Sequence, residues 1–255
     1  TNLINFSDKI FAIFKQEANF YKRRGGNVFW VGHPMIDLTK KLPSKKVSRT
    51  ILKLRENQNI LLLMPASRPQ ELKYILPTFL KTAKKLQLRY PSLVVYIPSC
   101  RRVFDEKFRK GLEKYEIKGK VISQQDDSEL MPYIYSLAKL ALCKSGTVNM
   151  ELALYGIPQI IGYRVSRVTA FIAKRILNFK VRFISPVNLL MKKFIIPEFV
   201  QKNFNEKKIF YKACRLLDLT SEKAKIKKGY TLLKKELGEE GVVDRAAKEI
   251  INSII

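Results

Sequence analysis

Residues 144–158 have the sequence KSGTVNMELALYGIP, and this stretch is the clearest indication of the fold class. Apolar runs on either side, 140–143 and 159–163, predict two buried strands. Between them the sequence predicts a turn of small residues, one short helix and a break at Gly156-Ile157-Pro158. A strand, a helix and a second strand in this order form the repeating unit of a parallel α/β sheet.

The turn before the short helix carries groups suited to an anionic ligand. Backbone N–H groups at a helix N-terminus favour a phosphate. Thr147 and Glu151 are four residues apart, which places a hydroxyl and a carboxylate on one helical face. A nucleotide-sugar site needs such parts, namely N–H groups for the diphosphate and a carboxylate for the ribose hydroxyls. An ordinary strand–turn–helix unit without a ligand has the same spacing, so both interpretations are open.

The remaining chain extends this alternation. Near-continuous apolar runs suit strands that are buried on both faces, as in a doubly wound sheet. The pattern after residue 163 is basic and helical. The predicted strands are 28–31, 60–64, 93–97, 120–123, 140–143 and 159–163; the predicted helices are 3–21, 71–90, 105–115, 130–139 and 244–255, with a polar connector at 38–50.

Three polar clusters follow predicted strands, at residues 65–68, 99–102 and 145–147. Ligands of such sheets bind outside the carboxyl ends of the strands. We therefore expect the clusters to converge on one site. The sequence contains neither Gly-x-Gly-x-x-Gly nor a Walker A loop, which disfavours a dinucleotide-binding protein or an ATPase.

The chain of 255 residues is strongly basic, with 49 Lys and Arg against 22 Asp and Glu and a net charge of +27. The excess is uneven, because residues 174–235 hold 17 basic and 4 acidic residues. Such charge indicates an anionic partner, which is lipid, nucleic acid or a phosphorylated substrate. A lysine-rich solvated surface explains it equally well.

The cysteines and the histidine exclude several kinds of site. Cys100, Cys143 and Cys214 lack ligand spacing and indicate a reducing compartment without a metal site. His33 is the only histidine, which excludes a multi-histidine metal site within this sequence. No apolar run reaches the length that spans a bilayer, and no signal-peptide pattern is found. The sequence begins without Met, so a fragment or a processed chain is expected.

Six ordered motifs resemble the lipid-A-disaccharide synthase family, inverting glycosyltransferases of the GT-B fold. They extend over nearly the whole sequence. The motifs are Val31-Gly32-His33-Pro34; Leu63-Met64-Pro65-Ala66-Ser67-Arg68-Pro69-Gln70-Glu71; Ser145-Gly146-Thr147 with Glu151; Ile161-Gly162-Tyr163-Arg164; Asn188-Leu189-Leu190; and Pro197-Glu198-Phe199-Val200-Gln201.

The resemblance implies a division into domains. Residues 1–33 correspond to the end of an N-terminal Rossmann-like domain whose remainder is absent from this sequence. Residues 34–238 correspond to the C-terminal nucleotide-sugar-binding domain, a Rossmann-like doubly wound parallel sheet that forms the donor-binding half of a GT-B fold. The helix at 239–255 is expected to pack back on the first domain.

The resemblance also implies a reaction. An acylated glucosamine passes from UDP to a lipid-linked glucosamine 1-phosphate with inversion, a β-1′,6 bond forms, and UDP leaves. The general base is expected in the absent N-terminal domain, so no catalytic residue is assigned here. Neither a metal nor a cofactor is expected, and cationic side chains must then stabilise the leaving diphosphate.

The family assigns residues of this sequence to the UDP-sugar. Arg68, with Ser67, would bind the diphosphate, because a guanidinium makes bidentate phosphate contacts. A surface ion pair with Glu71 is the other interpretation of Arg68. The remaining donor-binding assignments are Ser145, Gly146 and Thr147 to the diphosphate, Glu151 to the ribose, Asn188 to the donor, and Glu198 and Gln201 to cleft closure or donor support.

Each of these residues also has an ordinary structural explanation. Glu151 could be a carboxylate on a helix surface, and Asn188 a turn residue after a proline. Glu198 and Gln201 could cap helices. Ala66 stands where the family commonly has glycine, and alanine disfavours positive φ. The loop geometry could therefore differ, and an acceptor other than the usual lipid A precursor is compatible with this branch.

A basic, aromatic segment at 164–182 predicts an interfacial helix, with Phe171, Lys174, Arg175 and Phe179 facing an anionic membrane. A helix packed on its own sheet with solvated lysines is the alternative. The expected location is cytoplasmic, peripheral on the inner face of the membrane, or the stromal face in a plastid. The expected partners are the UDP-linked acylated sugar, the lipid acceptor and the membrane, and a homo-oligomer is compatible with the sequence.

Three further functions compete with this transferase. One is an incomplete or non-catalytic donor-binding half that needs the absent domain. A nucleic-acid-binding protein is motivated only by charge and is disfavoured, because no RNA or DNA motif is recognisable. The last is another GT-B enzyme that uses a UDP-sugar; Asn188-Leu189-Leu190 and the single His33 weigh against it.

Overall fold

The computed structural model describes residues 2–123, 125–166 and 182–254. Contacts between residues divide the chain into two compact units, one of Thr1–Lys41 with Lys228–Ile255 and one of Leu42–Lys227. The predicted domains divide at 33/34 and 238/239 instead. Their assignment to the halves of a larger enzyme stays a prediction.

The first unit contains a small parallel sheet. Strands β1 (Ile10–Ala12) and β2 (Val28–Trp30) pair in register, Ile10 with Val28. Ile10, Ala12, Ala18 and Val28 form its buried core. Its helices are α1 (Asn2–Phe6), α2 (Lys15–Lys22), α3 (Met35–Leu38) and α12 (Val242–Ile254), together with the end of α11 (Thr220–Leu237).

Helix α12 is held to residues 31–37 of the same unit. The Asp37 carboxylate accepts hydrogen bonds from the N–H of Gly241 at 2.8 Å and of Val243 at 3.0 Å. These bonds hold the pKa of Asp37 below its usual value. The Arg245 guanidinium donates to the Val31 carbonyl at 3.0 and 3.2 Å. A side-chain cap of this kind satisfies N–H groups that a helix start leaves unpaired.

The second unit contains a six-stranded sheet in the order β5-β4-β3-β6-β7-β8, with every pair parallel. Its strands are β3 (Asn59–Met64), β4 (Leu93–Ser99), β5 (Gly119–Ser123), β6 (Ala138–Cys143), β7 (Gln159–Tyr163) and β8 (Glu198–Val200). Its helices, besides the start of α11, are α4 (Lys45–Leu52), α5 (Pro69–Arg89), α6 (Arg102–Lys114), α7 (Met131–Leu137), α8 (Val148–Leu154), α9 (Pro186–Met191) and α10 (Glu206–Asp218). This is the doubly wound Rossmann order, in which the strand order reverses between the first and fourth strands.

The apolar runs that predicted the central strands are buried, as expected. The side chains of residues 61–63 in β3 and 140–143 in β6 are fully inaccessible to solvent. The side chains of α5 that point to the sheet are buried in the same core, Phe79 among them. The predicted strands at 60–64, 93–97, 120–123, 140–143 and 159–163 are confirmed, with ends that differ by no more than two residues.

Two predictions about the first 50 residues were wrong. The predicted helix at 3–21 contains β1, because Ile10 and Ala12 alternate inward and pair with β2, so strand pairing overrides helix-compatible spacing. The predicted connector at 38–50 contains the start of α4. Ser44 caps that helix by accepting a hydrogen bond from the N–H of Val47 at 3.3 Å. The helix buries Ser48 and Leu52, but the basic residues around them give the sequence the polar composition of a connector.

Two further differences concern later elements. The helix predicted at 130–139 ends at Leu137, since Ala138 and Lys139 already belong to β6. Strand β8 was not predicted at all. The predicted interfacial residues Phe171, Lys174, Arg175 and Phe179 lie outside the described residues.

Candidate functional site

Two loops meet where the strand order reverses. Strands β3 and β6 are neighbours, and their last residues, Met64 and Cys143, are partners in the ladder. The loops that follow, 65–68 and 144–147, therefore leave the sheet side by side at its carboxyl edge. This switch point is the usual ligand site of an open α/β sheet. The structure thus brings two of the three predicted polar clusters together.

An ion pair joins the two loops. The Lys144 ammonium lies 3.0 Å from Oε1 of Glu71, and both side chains are largely buried, at 15% and 12% exposed. The second oxygen of Glu71 accepts from the N–H groups of Ser67 at 3.1 Å and Arg68 at 3.2 Å. Glu71 thus caps the start of α5 and neutralises Lys144 at once. We call this arrangement the Glu71–Lys144 bridge.

The bridge leaves the Arg68 side chain exposed at the edge of the sheet. Glu71 contacts the N–H of Arg68, and within 2–123, 125–166 and 182–254 no carboxylate pairs with the guanidinium. The alternative interpretation of Arg68, a surface ion pair with Glu71, does not fit this geometry. A cation held at the switch point without a counterion suits an incoming anion.

The turn 145–147 is fixed by side chains on both sides. The Ser145 hydroxyl donates to the Ile184 carbonyl. The N–H of Gly146 donates to Oδ1 of Asn149 at 2.9 Å, and the amide of Asn149 donates to the Lys144 carbonyl at 3.0 Å. Two of the groups predicted to meet the diphosphate, the Ser145 hydroxyl and the N–H of Gly146, therefore already have protein partners. Thr147 is exposed at the start of α8.

Glu151 lies one turn further along α8, beside an aromatic pair. The Tyr135 hydroxyl hydrogen-bonds to its carboxylate, and the Tyr135 ring lies 5.1 Å from that of Tyr155. Burial raises the pKa of Glu151, and the bond from Tyr135 partly offsets this rise. Burial and the charge of Glu151 likewise raise the pKa of Tyr135. Glu151 is accordingly a half-buried acceptor and not a solvated surface carboxylate.

Asn188 and Glu198 form a buried latch that closes the loop 184–198. The amide of Asn188 donates to the Ile196 carbonyl at 2.8 Å and to Glu198 at 2.7 Å, and its oxygen accepts from the N–H groups of Ile195 and Ile196 at 2.7 and 3.0 Å. Each polar atom of the Asn188 amide thus has a protein partner.

Glu198 completes the latch on the other side. Its carboxylate accepts from the N–H of Ile184 at 2.8 Å, and from the N–H and hydroxyl of Ser185 at 2.9 and 2.6 Å. Since Ser145 donates to the Ile184 carbonyl, the latch also supports the turn. Gln201 follows β8 with φ +50°, and its carbonyl accepts from Arg164 at 3.2 Å.

Sequence reasoning gave no role to three residues that build the site. These residues are Lys144, Asn149 and Tyr135. Asn149 is fully buried, and its carbonyl accepts from Gln159 at 2.8 Å. An amide in the first turn of a mostly apolar helix was the available signal, because a buried amide needs partners.

The bridge gives a direct prediction. In a double-mutant cycle with Glu71→Gln and Lys144→Met, we expect a coupling free energy of about 1–2 kcal/mol, because both charges are largely desolvated. Urea denaturation of the four proteins measures it. The pair Glu106–Lys110 on α6 is the control, since its side chains are 67% and 73% exposed; we expect less than about 0.5 kcal/mol there. Equal coupling in the two cycles would contradict a structural role for the bridge.

No group of three or more His, Cys, Asp or Glu residues in 2–123, 125–166 and 182–254 could hold a metal ion. Within the same ranges, every helix is too short or too polar to cross a bilayer.

The comparison with known families decides the assignment. The sequence profile described as Lipid-A-disaccharide synthetase matches residues 1–254. The chain belongs to the lipid-A-disaccharide synthase family. It is 46% identical over 252 residues, 99% of its length, to lipid-A-disaccharide synthase from Prochlorococcus marinus (strain MIT 9313). It spans 64% of the length of that family member. The resemblance found in the motifs is confirmed.

Solved structures agree on the fold of this family member. The S. aureus MnaA–UDP complex matches with TM-score 0.66 at 15% identity, covering 97% of this chain and 61% of that one. A glycosyltransferase involved in lipopolysaccharide biosynthesis, WaaG, matches with TM-score 0.56 at 15% identity over 94% and 62% of the two chains. The predicted fold class, a Rossmann-like half of a GT-B fold, is confirmed.

Proposed function

We propose that this chain is the donor-binding part of a glycosyltransferase of the lipid-A-disaccharide synthase type. It would hold a UDP-linked acylated glucosamine for transfer to a lipid-linked glucosamine 1-phosphate. The observation that carries the proposal is the switch point of the sheet, where the turn 145–147 adjoins an exposed Arg68 that has no carboxylate partner among the described residues. Family membership supplies the substrate class.

In the proposed reaction the 6-hydroxyl of the acceptor attacks the anomeric carbon of the donor from the face opposite UDP. The bond from that carbon to the diphosphate oxygen breaks, and UDP leaves with the electron pair. The hydroxyl proton passes to a general base that the family would supply outside this chain. Positive charge must then meet the leaving diphosphate, which is the task proposed for Arg68.

The other site residues take supporting parts in the proposal. Ser67 and Thr147 are exposed at the two loops. In the proposal they contact the diphosphate, and Glu151 accepts hydrogen bonds from the ribose hydroxyls. Asn188 and Glu198 would act as positioning residues, because their polar atoms are hydrogen-bonded within the latch. The latch is linked to the turn through Ile184, which donates to Glu198 and accepts from Ser145. Gln201 stays a proposed donor support.

Calorimetric titration with UDP tests the proposal. We expect saturable binding to the wild-type chain that Arg68→Ala weakens about tenfold, since one bidentate phosphate contact is worth about 1.4 kcal/mol or more. Arg55→Ala is the matched control. It removes an exposed arginine before β3, at the opposite end of the strand from Arg68, and should leave UDP affinity unchanged.

If Arg68→Ala and Arg55→Ala weakened UDP affinity equally at two salt concentrations, the net charge of +27 would explain the effect. That result would contradict the assignment of Arg68. A folded wild-type chain that does not bind UDP would contradict the proposed donor site itself.

A second candidate is a donor-binding part that cannot turn over alone. The observation that favours it is the length, because the chain spans 64% of the relative from Prochlorococcus marinus. UDP binding without transfer to the lipid acceptor would support it. A different lipid acceptor is a variant of the first proposal, motivated by Ala66 in the loop after β3.

The proposed location is the membrane surface, since both proposed substrates carry acyl chains. The basic, aromatic segment at 164–182 remains the proposed contact with anionic lipid. A cytoplasmic or stromal face and a homo-oligomer stay expectations from the sequence.

A further inference from the structure

Five cationic side chains lie together at the amino edge of the six-stranded sheet. Lys139 is the second residue of β6. Helices α4 and α11 each bring two cations spaced four residues apart, which therefore lie on one face of their helix. These are Lys45 and Arg49 on α4, and Lys223 and Lys227 on α11; all five residues belong to the second unit. We call them the amino-edge cluster.

The charges of the cluster act on one another. The pKa of Lys139 lies below its usual value, first because of partial burial and then because of the positive charges of the other four members. The Ser136 hydroxyl of α7 donates to that of Ser48 in α4 at 2.6 Å, which holds the start of β6 close to α4. Like charges placed together in this way destabilise the fold unless something offsets them.

The described residues give most of the cluster no acidic partner. Within 2–123, 125–166 and 182–254, none of the ion pairs includes Lys139, Lys223 or the two cations of α4. Glu222 precedes Lys223 in the sequence, but its carboxylate is held by Lys212 and Arg215 of α10, each at 2.7 Å. An anionic ligand would supply the missing counter-charge.

Arg49 is oriented before any ligand arrives. Its Nε donates to the Glu56 carbonyl at 2.8 Å, which restrains the plane of the guanidinium. Nη1 of the same group is buried and has no hydrogen-bond partner among the described residues. A buried N–H without an acceptor costs stability, and an oxyanion at Arg49 would provide that acceptor.

The amount of charge in the cluster selects among phosphate ligands. A single phosphate group carries at most about two negative charges, which would leave most of the five cations uncompensated. Linked phosphate groups carry more charge, and a chain of them can contact side chains from three elements at once. A triphosphate therefore matches the cluster better than a single phosphate does.

We propose that the amino-edge cluster binds a soluble triphosphate, either free or as part of a nucleotide, at a site separate from the switch point. Strand β6 runs from the cluster to the switch point, and the four steps from Lys139 to Cys143 cover about 13 Å. This proposal does not depend on the proposed function, because it uses none of the donor-binding residues.

The test uses chains that lack the Arg68 guanidinium, so that this contact at the switch point does not contribute. Arg68→Ala is compared with two triple variants of equal net charge. One adds Lys45→Gln and Lys139→Gln in the cluster, and the other adds Lys107→Gln and Lys114→Gln at exposed positions of α6. Circular dichroism and urea denaturation check that all three proteins are folded.

The soluble probes are inorganic tripolyphosphate and ATP. Each is titrated by calorimetry with EDTA present and at about 150 mM salt, where distant exposed charges are largely screened. Phosphatidylcholine vesicles that contain phosphatidylglycerol, in a sedimentation assay, test for a membrane surface instead.

We expect tripolyphosphate to bind the Arg68→Ala chain saturably, and binding to weaken about tenfold in the cluster variant only, because two charge-assisted contacts are lost. Tighter binding of ATP than of tripolyphosphate identifies a nucleotide as the source of the triphosphate, whereas equal or weaker binding of ATP identifies an inorganic source. Three results would overturn the proposal: no saturable binding to the folded Arg68→Ala chain, equal weakening in both triple variants, or cluster-dependent binding of the vesicles without binding of tripolyphosphate.

Discussion

Gly162→Ala is expected to lower the free energy of unfolding by about 3 kcal/mol, the upper end of the cost of overpacking a core. Gly162 is the last residue but one of β7 and lies against the buried ring pair Phe79 and Phe204. A Cβ atom at this position would overlap with Cε2 of Phe204 and would lie 2.8 Å from Cζ of Phe79, closer than carbon atoms pack. Both rings are fully buried, so neither can move aside without displacing α5 or the turn before α10.

Urea denaturation of the purified chain measures this loss. Gly146→Ala is the matched control, since its added Cβ would meet only Cε of Lys144, at an ordinary contact distance of 3.7 Å. We expect that control to change stability by less than about 0.5 kcal/mol. If the two variants were equally stable, the core around β7 would have space for the added methyl group, which would contradict the packing described here.

The second large effect is expected for Asn188→Ala, again about 3 kcal/mol of stability. The substitution removes four hydrogen bonds around a fully buried side chain. The buried N–H and carbonyl of Ile196 lose these partners, whereas the N–H of Ile195 keeps the Lys193 carbonyl at 3.0 Å and Glu198 keeps Ser185. Buried polar groups that lose their partners cost about 1–3 kcal/mol each before relaxation. Asn188→Asp should be comparably harmful, because it keeps the acceptor but brings a carboxylate against Glu198.

The adjacent Leu189→Ala is the control for this position. Leu189 is 60% exposed on the same helix, and its truncation should cost less than about 1 kcal/mol. Thermal and urea denaturation, with UDP titration of whichever proteins remain folded, separate the two interpretations of Asn188. An Asn188→Ala protein of unchanged stability with weakened UDP binding would contradict the latch and favour the direct donor contact predicted from the family motif.

The central sheet could be predicted because each buried strand is a continuous apolar run. Residues 60–64 and 140–143 have no polar side chain, and in a parallel sheet such runs have few other places to lie. Strand β8 could not be found in this way. Its residues Glu198–Val200 are only half-buried at the edge of the sheet, and the pairing with β7 that makes them a strand is a long-range contact.

The candidate site likewise contains features that the sequence predicts and features that depend on long-range contacts. Arg68 and the turn 145–147 could be placed from the sequence, since the ends of predicted parallel strands fall at one edge. The partners of Glu71 and Asn188 could not. Glu71 pairs with a lysine 73 positions away, and Asn188 closes a loop whose shape depends on Glu198. Motifs identify residues that matter to a family, but only the contacts show whether a polar atom is free for a ligand.

The Glu71–Lys144 bridge determines when the two loops of the site become ordered. Two loops that leave separate strands would ordinarily fluctuate independently, and a ligand would have to arrest both. Here the bridge and its bonds to the N–H groups of Ser67 and Arg68 restrain them as one body when the chain folds. The entropy of ordering is therefore lost during folding, and the exposed Arg68 side chain is left as the part that a ligand must still immobilise.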